Sequence, residues 1–150
     1  MNADVDISGR RLQLTRIFNA RRERVFSYWA SGDRMQQWSG CSDATACRIE
    51  MDFRIGGSFT QTMQIAGCGE FTIVGTYDEI VEPERIAYRV RLGTSLSRVV
   101  VQFVDLGERT KVILTQDGFS DDVTCTQVTR GTTESFDALE RIIGAPVETR

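Results

Sequence analysis

Leu114-Thr115-Gln116-Asp117-Gly118-Phe119 ends one strand and turns the chain into its last long segment, which runs on to Ile143. In that segment Val128, Thr132, Ser135, Phe136, Leu139, Ile142 and Ile143 recur at the spacing of one helix face. Arg130, Glu134, Asp137 and Arg141 fall on the opposite side, which suits water. Everything upstream reads as short strands with brief helical interruptions. One amphipathic helix is therefore expected to cover a sheet, and what lies between the two decides the function.

Working outward, 150 residues predict one domain spanning 1–150, with a core from about residue 10 to residue 144. The net charge of -3, with Arg10-Arg11 and Arg21-Arg22 as isolated pairs, gives no basic surface for nucleic acid. No apolar run approaches the roughly 20 residues of a membrane helix. The start, Met1-Asn2-Ala3-Asp4-Val5-Asp6, is acidic and has no signal-peptide core, so a cytoplasmic location is expected. Cys41, Cys47, Cys68 and Cys125 read as free thiols. The Cys41–Cys47 spacing is too wide for a zinc half-site, and the chain has no histidine, so neither metal nor cofactor is expected. The missing histidine also removes Ser-His and Cys-His nucleophile pairs. A general base would have to be Asp, Glu, Lys, Tyr or Cys, and the single Lys111 reads as solvent-facing on a strand.

In chain order, residues 1–9 read as loose. Arg10 to Phe18 is a strand with Leu12, Leu14 and Phe18 on one parity and Arg16 interrupting it. A first helix spans about Arg21 to Ala30, capped by Asn19 or Ala20, and buries Val25, Phe26 and Trp29. A second, Arg34 to Trp38, is capped by Asp33. Ser39-Gly40-Cys41-Ser42-Asp43 follows as a loop, so Trp38 reads either as part of a gate or as a core plug. Cys47 to Ile55 alternates cleanly. Ile49, Met51, Phe53 and Ile55 face inward; Arg48, Glu50, Asp52 and Arg54 face outward and are expected to form cross-strand pairs. Gly56-Gly57 is expected to make a tight hairpin turn into Ser58–Ile65. Further strands run over Glu70–Val81, Arg85–Leu92, Leu96–Leu106 and Arg109–Gln116, with turns at Ala66-Gly67-Cys68-Gly69, Glu82-Pro83-Glu84, Gly93-Thr94-Ser95 and Gly107-Glu108. Gly75, inside one strand, marks a bulge or a close backbone approach. The short hairpins make an antiparallel sheet of seven strands, curved around one helix.

Several stretches together resemble the activator of Hsp90 ATPase homologue-like (Aha1-like) branch of the START/Bet v 1 superfamily, also called SRPBCC. They are Asn19-Ala20-Arg21-Arg22-Glu23-Arg24-Val25-Phe26, Gln37-Trp38-Ser39-Gly40, Asp52-Phe53-Arg54-Ile55-Gly56-Gly57-Ser58-Phe59, Gly75-Thr76-Tyr77-Asp78-Glu79-Ile80-Val81-Glu82-Pro83-Glu84-Arg85-Ile86 and Leu114-Thr115-Gln116-Asp117-Gly118-Phe119. The resemblance covers residues 12 to 143. It implies an α+β helix-grip fold, with a cavity between sheet and C-terminal helix. Members bind apolar or amphipathic molecules there, or activate the Hsp90 chaperone. Many relatives carry Pro after the position of Ala20, a Trp-Trp-Gly-Pro run at Gln37-Trp38-Ser39-Gly40, and His and Trp where this chain has Val128 and Thr132. Thr132 in place of a large ring implies extra volume between helix and sheet.

The residues expected to line that space are Trp38, Phe53, Phe59, Met63, Phe71, Tyr77, Tyr88, Val101, Phe103, Phe136 and Leu139, with Gln61, Thr132 and Ser135 as polar members and Gln116 beside them. The leading expectation is a small hydrophobic or amphipathic ligand, with no catalytic residue assigned and a homodimer left open as an arrangement. An enzyme of cyclase or hydrolase type would need Tyr77 or Tyr88 beside an inward carboxylate, and Asp105 is the acid on the inward parity. A co-chaperone partner to Hsp90 is the third reading and would need an exposed docking face.

Overall fold

Alternating inward and outward side chains organise most of this molecule. The computed structural model describes residues 4–6, 11–39, 44–65, 69–92, 95–119 and 122–144. The elements are β1 (Asp4–Asp6), β2 (Leu12–Phe18), α1 (Arg22–Ser27), α2 (Gly32–Met35), β3 (Ala44–Met51), β4 (Ser58–Ile65), β5 (Gly69–Val81), β6 (Arg85–Leu92), β7 (Ser95–Asp105), β8 (Thr110–Asp117) and α3 (Asp122–Gly144). The strands form one antiparallel sheet in the order β1-β2-β8-β7-β6-β5-β4-β3. Hairpins make β3 to β8 neighbours in turn. The helices α1 and α2 carry the chain from β2 to the far edge, where Gln36 Oε1 accepts a hydrogen bond from the Ile49 amide of β3 (2.7 Å). The sheet curls around α3, giving the expected helix-grip arrangement.

The seven expected strands are present, and an eighth corrects the reading of residues 1–9 as loose. Asp4–Asp6 pairs along β2, with Val5 opposite Leu14. The short helices also differ from expectation. α1 starts after Arg21, which gives no side-chain cap, and its last turn tightens through bonds from the Tyr28, Trp29 and Ala30 amides to carbonyls three residues back. At α2 the cap is Ser31, whose hydroxyl accepts from the Arg34 amide, and not Asp33.

A larger correction concerns Phe53 and Ile55. Strand pairing of β3 stops at Met51. The Asp52 amide still bonds to the Ser58 carbonyl, but the next residues turn, with Arg54 donating to Asp52 and Gly57 to Arg54. Gly56 and Gly57 then exchange backbone bonds with Tyr77 of β5. A Cβ at Gly57 would lie 2.1 Å from the Asp52 carbonyl, so only glycine permits this folding-back. Ile55 is swung out to 61% exposure, whereas Phe53 stays against the core. Asp52 and Arg54 pair with each other inside the turn and not across strands.

Gly75 marks a close approach: a Cβ there would lie 2.3 Å from the Phe59 ring. The irregularity in pairing falls two residues on, between Tyr77 and Glu79. The expected loop at Gly40–Asp43, the turns at residues 66–68 and 93–94, Cys41, Cys68 and the Phe71 side chain lie outside what the structure describes.

Candidate functional site

The concave face of the sheet has two unlike halves. In one half, aromatic side chains from five segments fill the space. Trp29 lies 4.6 Å from Trp38, 5.1 Å from Phe103 and 5.9 Å from Phe136, ring centre to ring centre. Phe26 joins them through Phe103 at 5.1 Å, and Phe18 joins through Phe136 at 5.7 Å. These edge-on and tilted contacts suit the ring quadrupoles. Trp38 Nε1 donates to the Tyr28 carbonyl (3.1 Å), so Trp38 is a plug with its polar atom satisfied. Of the expected lining residues, Trp38, Phe59, Tyr77, Val101, Phe103, Phe136 and Leu139 are buried members of one core cluster.

The helix is fastened over that half by Arg16, which alternation places inward between Leu14 and Phe18. Arg16 is 3% exposed, and its Nη1 reaches Asp137 (2.7 Å) and Glu140 (3.2 Å) of α3. Residue type makes Arg16 an interruption of its apolar face and sets Asp137 toward water; the structure instead turns Arg16 inward and pairs it with Asp137. The signal was the parity itself, since positions 12, 14, 16 and 18 share one face. Consistent with this tie, the close backbone approach of α3 to the sheet is at β2.

Phe26 also touches Phe53 (6.0 Å), which opens a second aromatic group. Phe53 stacks edge-on to Tyr77 (5.2 Å), Phe59 lies 5.4 Å from Tyr77, and Phe59 meets Tyr88 edge-on at 5.2 Å. Around this group burial is uneven: Ile49, Val90 and Val99 are buried, whereas Cys47, Met51, Gln61, Ile73 and Tyr88 on the sheet and Val128 and Thr132 on α3 are half-buried. Met63 is buried, and Phe71 lies opposite it in the strand register.

Polar atoms in this half divide into satisfied and unsatisfied. Gln61 Nε2 donates to Ser39 Oγ (2.7 Å) and Cys47 Sγ (3.6 Å). Gln116 Nε2 donates to Ser97 Oγ (3.0 Å), and Ser97 in turn donates to the Asp117 carbonyl. Ser97 was missed in the sequence, although it shares parity with Val99 and Val101. Ser135 donates back to the Gly131 carbonyl (2.9 Å), and the Tyr77 hydroxyl donates to Met51 Sδ (3.6 Å). Burial pushes the Tyr77 phenol well above its ordinary value, with Tyr88 beside it adding to the effect; burial alone does the same for Tyr88. Both hydroxyls therefore stay protonated at neutral pH. Asp105, the acid on the inward parity, is exposed and accepts from the Gly107 amide (2.8 Å), away from either phenol.

Elsewhere, an open surface depression of about 300 Å³ is lined by Ala20, Arg21, Arg24 and Glu108. It contains none of the expected lining residues. Among the described residues no three of His, Cys, Asp and Glu converge as a metal site, and no helix is long and apolar enough to cross a membrane.

No protein of curated function matches the sequence. Solved structures share the fold. A Chromobacterium violaceum protein is 22% identical and superposes with a TM-score of 0.81 over 89% of this chain and 96% of its own. An Arthrobacter aurescens protein, at 14% identity, gives 0.81 over 97% and 92%. A Rhizobium leguminosarum protein, at 27% identity, gives 0.71 over 95% and 97%. The model of the family described as activator of Hsp90 ATPase homolog 1-like protein matches residues 19–144, and the chain belongs to that family.

Proposed function

We propose that this protein binds a small apolar or amphipathic molecule between the sheet and α3, in the half of the concave face that the aromatic core leaves unfilled. The supporting observation is a break in burial along one helix stripe. Cys125, Ser135, Phe136, Leu139 and Ile143 are buried, yet Val128 and Thr132, on the same stripe, are half-buried. On the sheet, Ile73 and Tyr88 show the same partial burial. A stripe that is buried on both sides of a gap brackets a space, and a mostly apolar space with a few polar groups suits a small ligand. Met51, Met63 and the aromatic rings give that space adaptable, polarisable walls.

Thermal unfolding against a panel of lipids and planar aromatic compounds, with native mass spectrometry of the freshly purified protein, tests this. A ligand at about 100 times its dissociation constant adds about 2.7 kcal/mol of stability and raises the melting temperature. Failure of every compound to do so, together with a mass spectrum of bare protein, would overturn the reading.

A further inference from the structure

An open sheet ends in strands whose outer amides and carbonyls have no ladder partner. The two edges of this sheet are treated differently. β1 is only three residues long. β3 has eight residues, and α2 lies against its outer side. The cover centres on Ile49, whose amide donates to Gln36 Oε1 (2.7 Å), so a side-chain amide stands where a neighbouring strand would. The Ile49 carbonyl points the same way. A Cβ on Gly32 would lie 2.7 Å from it, so glycine is what lets α2 come this close.

This cover is lightly seated. α2 has four residues and none of them is buried. Its other side-chain ties run to α1: Arg34 Nη1 donates to Ser27 Oγ (2.8 Å), and the Arg34 guanidinium lies over the Tyr28 ring at 4.8 Å. The segment is pinned at its two ends, where the Trp29 and Trp38 rings lie 4.6 Å apart and Trp38 Nε1 reaches the Tyr28 carbonyl. Residues 30–37 are therefore a loop closed at its neck, and among the described residues its hydrogen bond to β3 is the one from Ile49. Segments with little buried surface and few bonds are the first to open.

Lifting α2 would bare the amide and the carbonyl of Ile49 together. In an antiparallel ladder, a residue with both groups turned to the partner strand exchanges two bonds with the residue opposite. A second β3, related by a twofold axis at Ile49, meets that condition because Ile49 then faces Ile49. The same axis sets Arg48 opposite Glu50 and Glu50 opposite Arg48. Both side chains are exposed. Within their own sheet they stand opposite Thr62 and Thr60, and they have no ion-pair partner among the described residues. Opposite charges directly across two strands are favourable. An edge that complements itself in hydrogen bonds and in charge suits a symmetric pair.

We infer that the β3 edge is a pairing surface for a second copy of this chain, masked by α2 and bared when residues 30–37 lift.

Sedimentation velocity over a concentration series tests this, with Gln36→Ala and Gly32→Val as variants that loosen the cover. Gln36→Ala is expected to tighten self-association about tenfold over the parent, the change that loss of one hydrogen bond holding the cover allows. Gly32→Val should tighten it as well; if that variant does not fold, Gln36→Ala carries the test. In the Gln36→Ala background, Arg48→Glu should reverse the gain by setting two carboxylates opposite each other, and adding Glu50→Arg should restore it. Hydrogen exchange at the Ile49 amide should be faster than in the parent when Gln36→Ala is dilute, and slow again as the pair forms. Unchanged self-association in the folded variants, or a gain that survives Arg48→Glu, overturns the inference. So does a loosened chain that stays single and takes up an extended threonine–valine peptide, which would give the edge to another partner.

Discussion

Arg16 shows how one side chain can contradict the pattern around it and still belong to it. Its carboxylate partners are about half exposed, at 47% and 41% of their side chains, so they return to water when the cation is removed. Arg16→Ala therefore loses packing and the tie to α3 but strands no buried anion, and should cost about 2 kcal/mol in a urea titration. Arg16→Met refills the volume and removes the unpartnered Nε. It should lie within about 1 kcal/mol of the parent, since apolar isosteres often match buried ion pairs. If the two variants lose equally, the charge and not the packing holds the helix. Gly75 gives a second test. A methyl there meets the Phe59 ring and, at 3.0 Å, the Arg89 carbonyl, so Gly75→Ala should destabilise by about 1–3 kcal/mol. The displaced ring would move toward the proposed ligand position, so the same variant should reduce the ligand-induced rise in melting temperature.

Among elements, α3 is the one whose two ends do different work. Its C-terminal half carries Phe136, Leu139 and Ile143 into the sealed core and takes the Arg16 tie. Its middle carries Val128 and Thr132, which are half-buried. On the proposed function, a large ring at position 132 occupies the ligand's space and does not strain a packed core. Thr132→Trp is expected to keep the fold, with unfolding within about 1 kcal/mol of the parent, and to abolish the ligand-induced rise in melting temperature. Loss of several kcal/mol with binding intact would show that the stripe at Thr132 is already filled. The segment from Asp52 to Gly57 is the other instructive element. Its alternation reads as a continuation of β3, and the apolar side chain of Ile55 fits that reading. Backbone bonds from Gly56 and Gly57 to Tyr77 compete with further strand pairing and win, which turns Ile55 outward.

For the whole molecule, the buried phenols set an alkaline limit. Tyr77 and Tyr88 ionise in the folded protein only well above their ordinary value of 10.0, whereas an unfolded chain ionises them near it. Above that value the folded state binds more protons than the unfolded one, so stability falls as pH rises; below it the phenols' contribution is complete. Melting temperature is therefore expected to drop above pH 10.0, with tyrosinate absorbance from these two residues appearing together with unfolding. Tyr88→Phe should flatten the drop. The sequence by itself determined the seven long strands, the covering helix, the apolar parity of each strand and the family motifs, because alternation and helical spacing are local periodicities that burial of one face imposes directly on residue order. It also carried the inward position of Arg16, which parity states even though residue type argues against it. Only the tertiary structure decided which inward residues are sealed and which keep free surface. Val101 and Phe103 share the inward parity of Tyr88, but contacts from Phe26, Trp29 and Phe136 bury that end of the face, whereas Tyr88 keeps part of its surface. Parity gives a side chain its direction; how much space remains in front of it depends on what α1, α2 and α3 bring there from elsewhere in the chain.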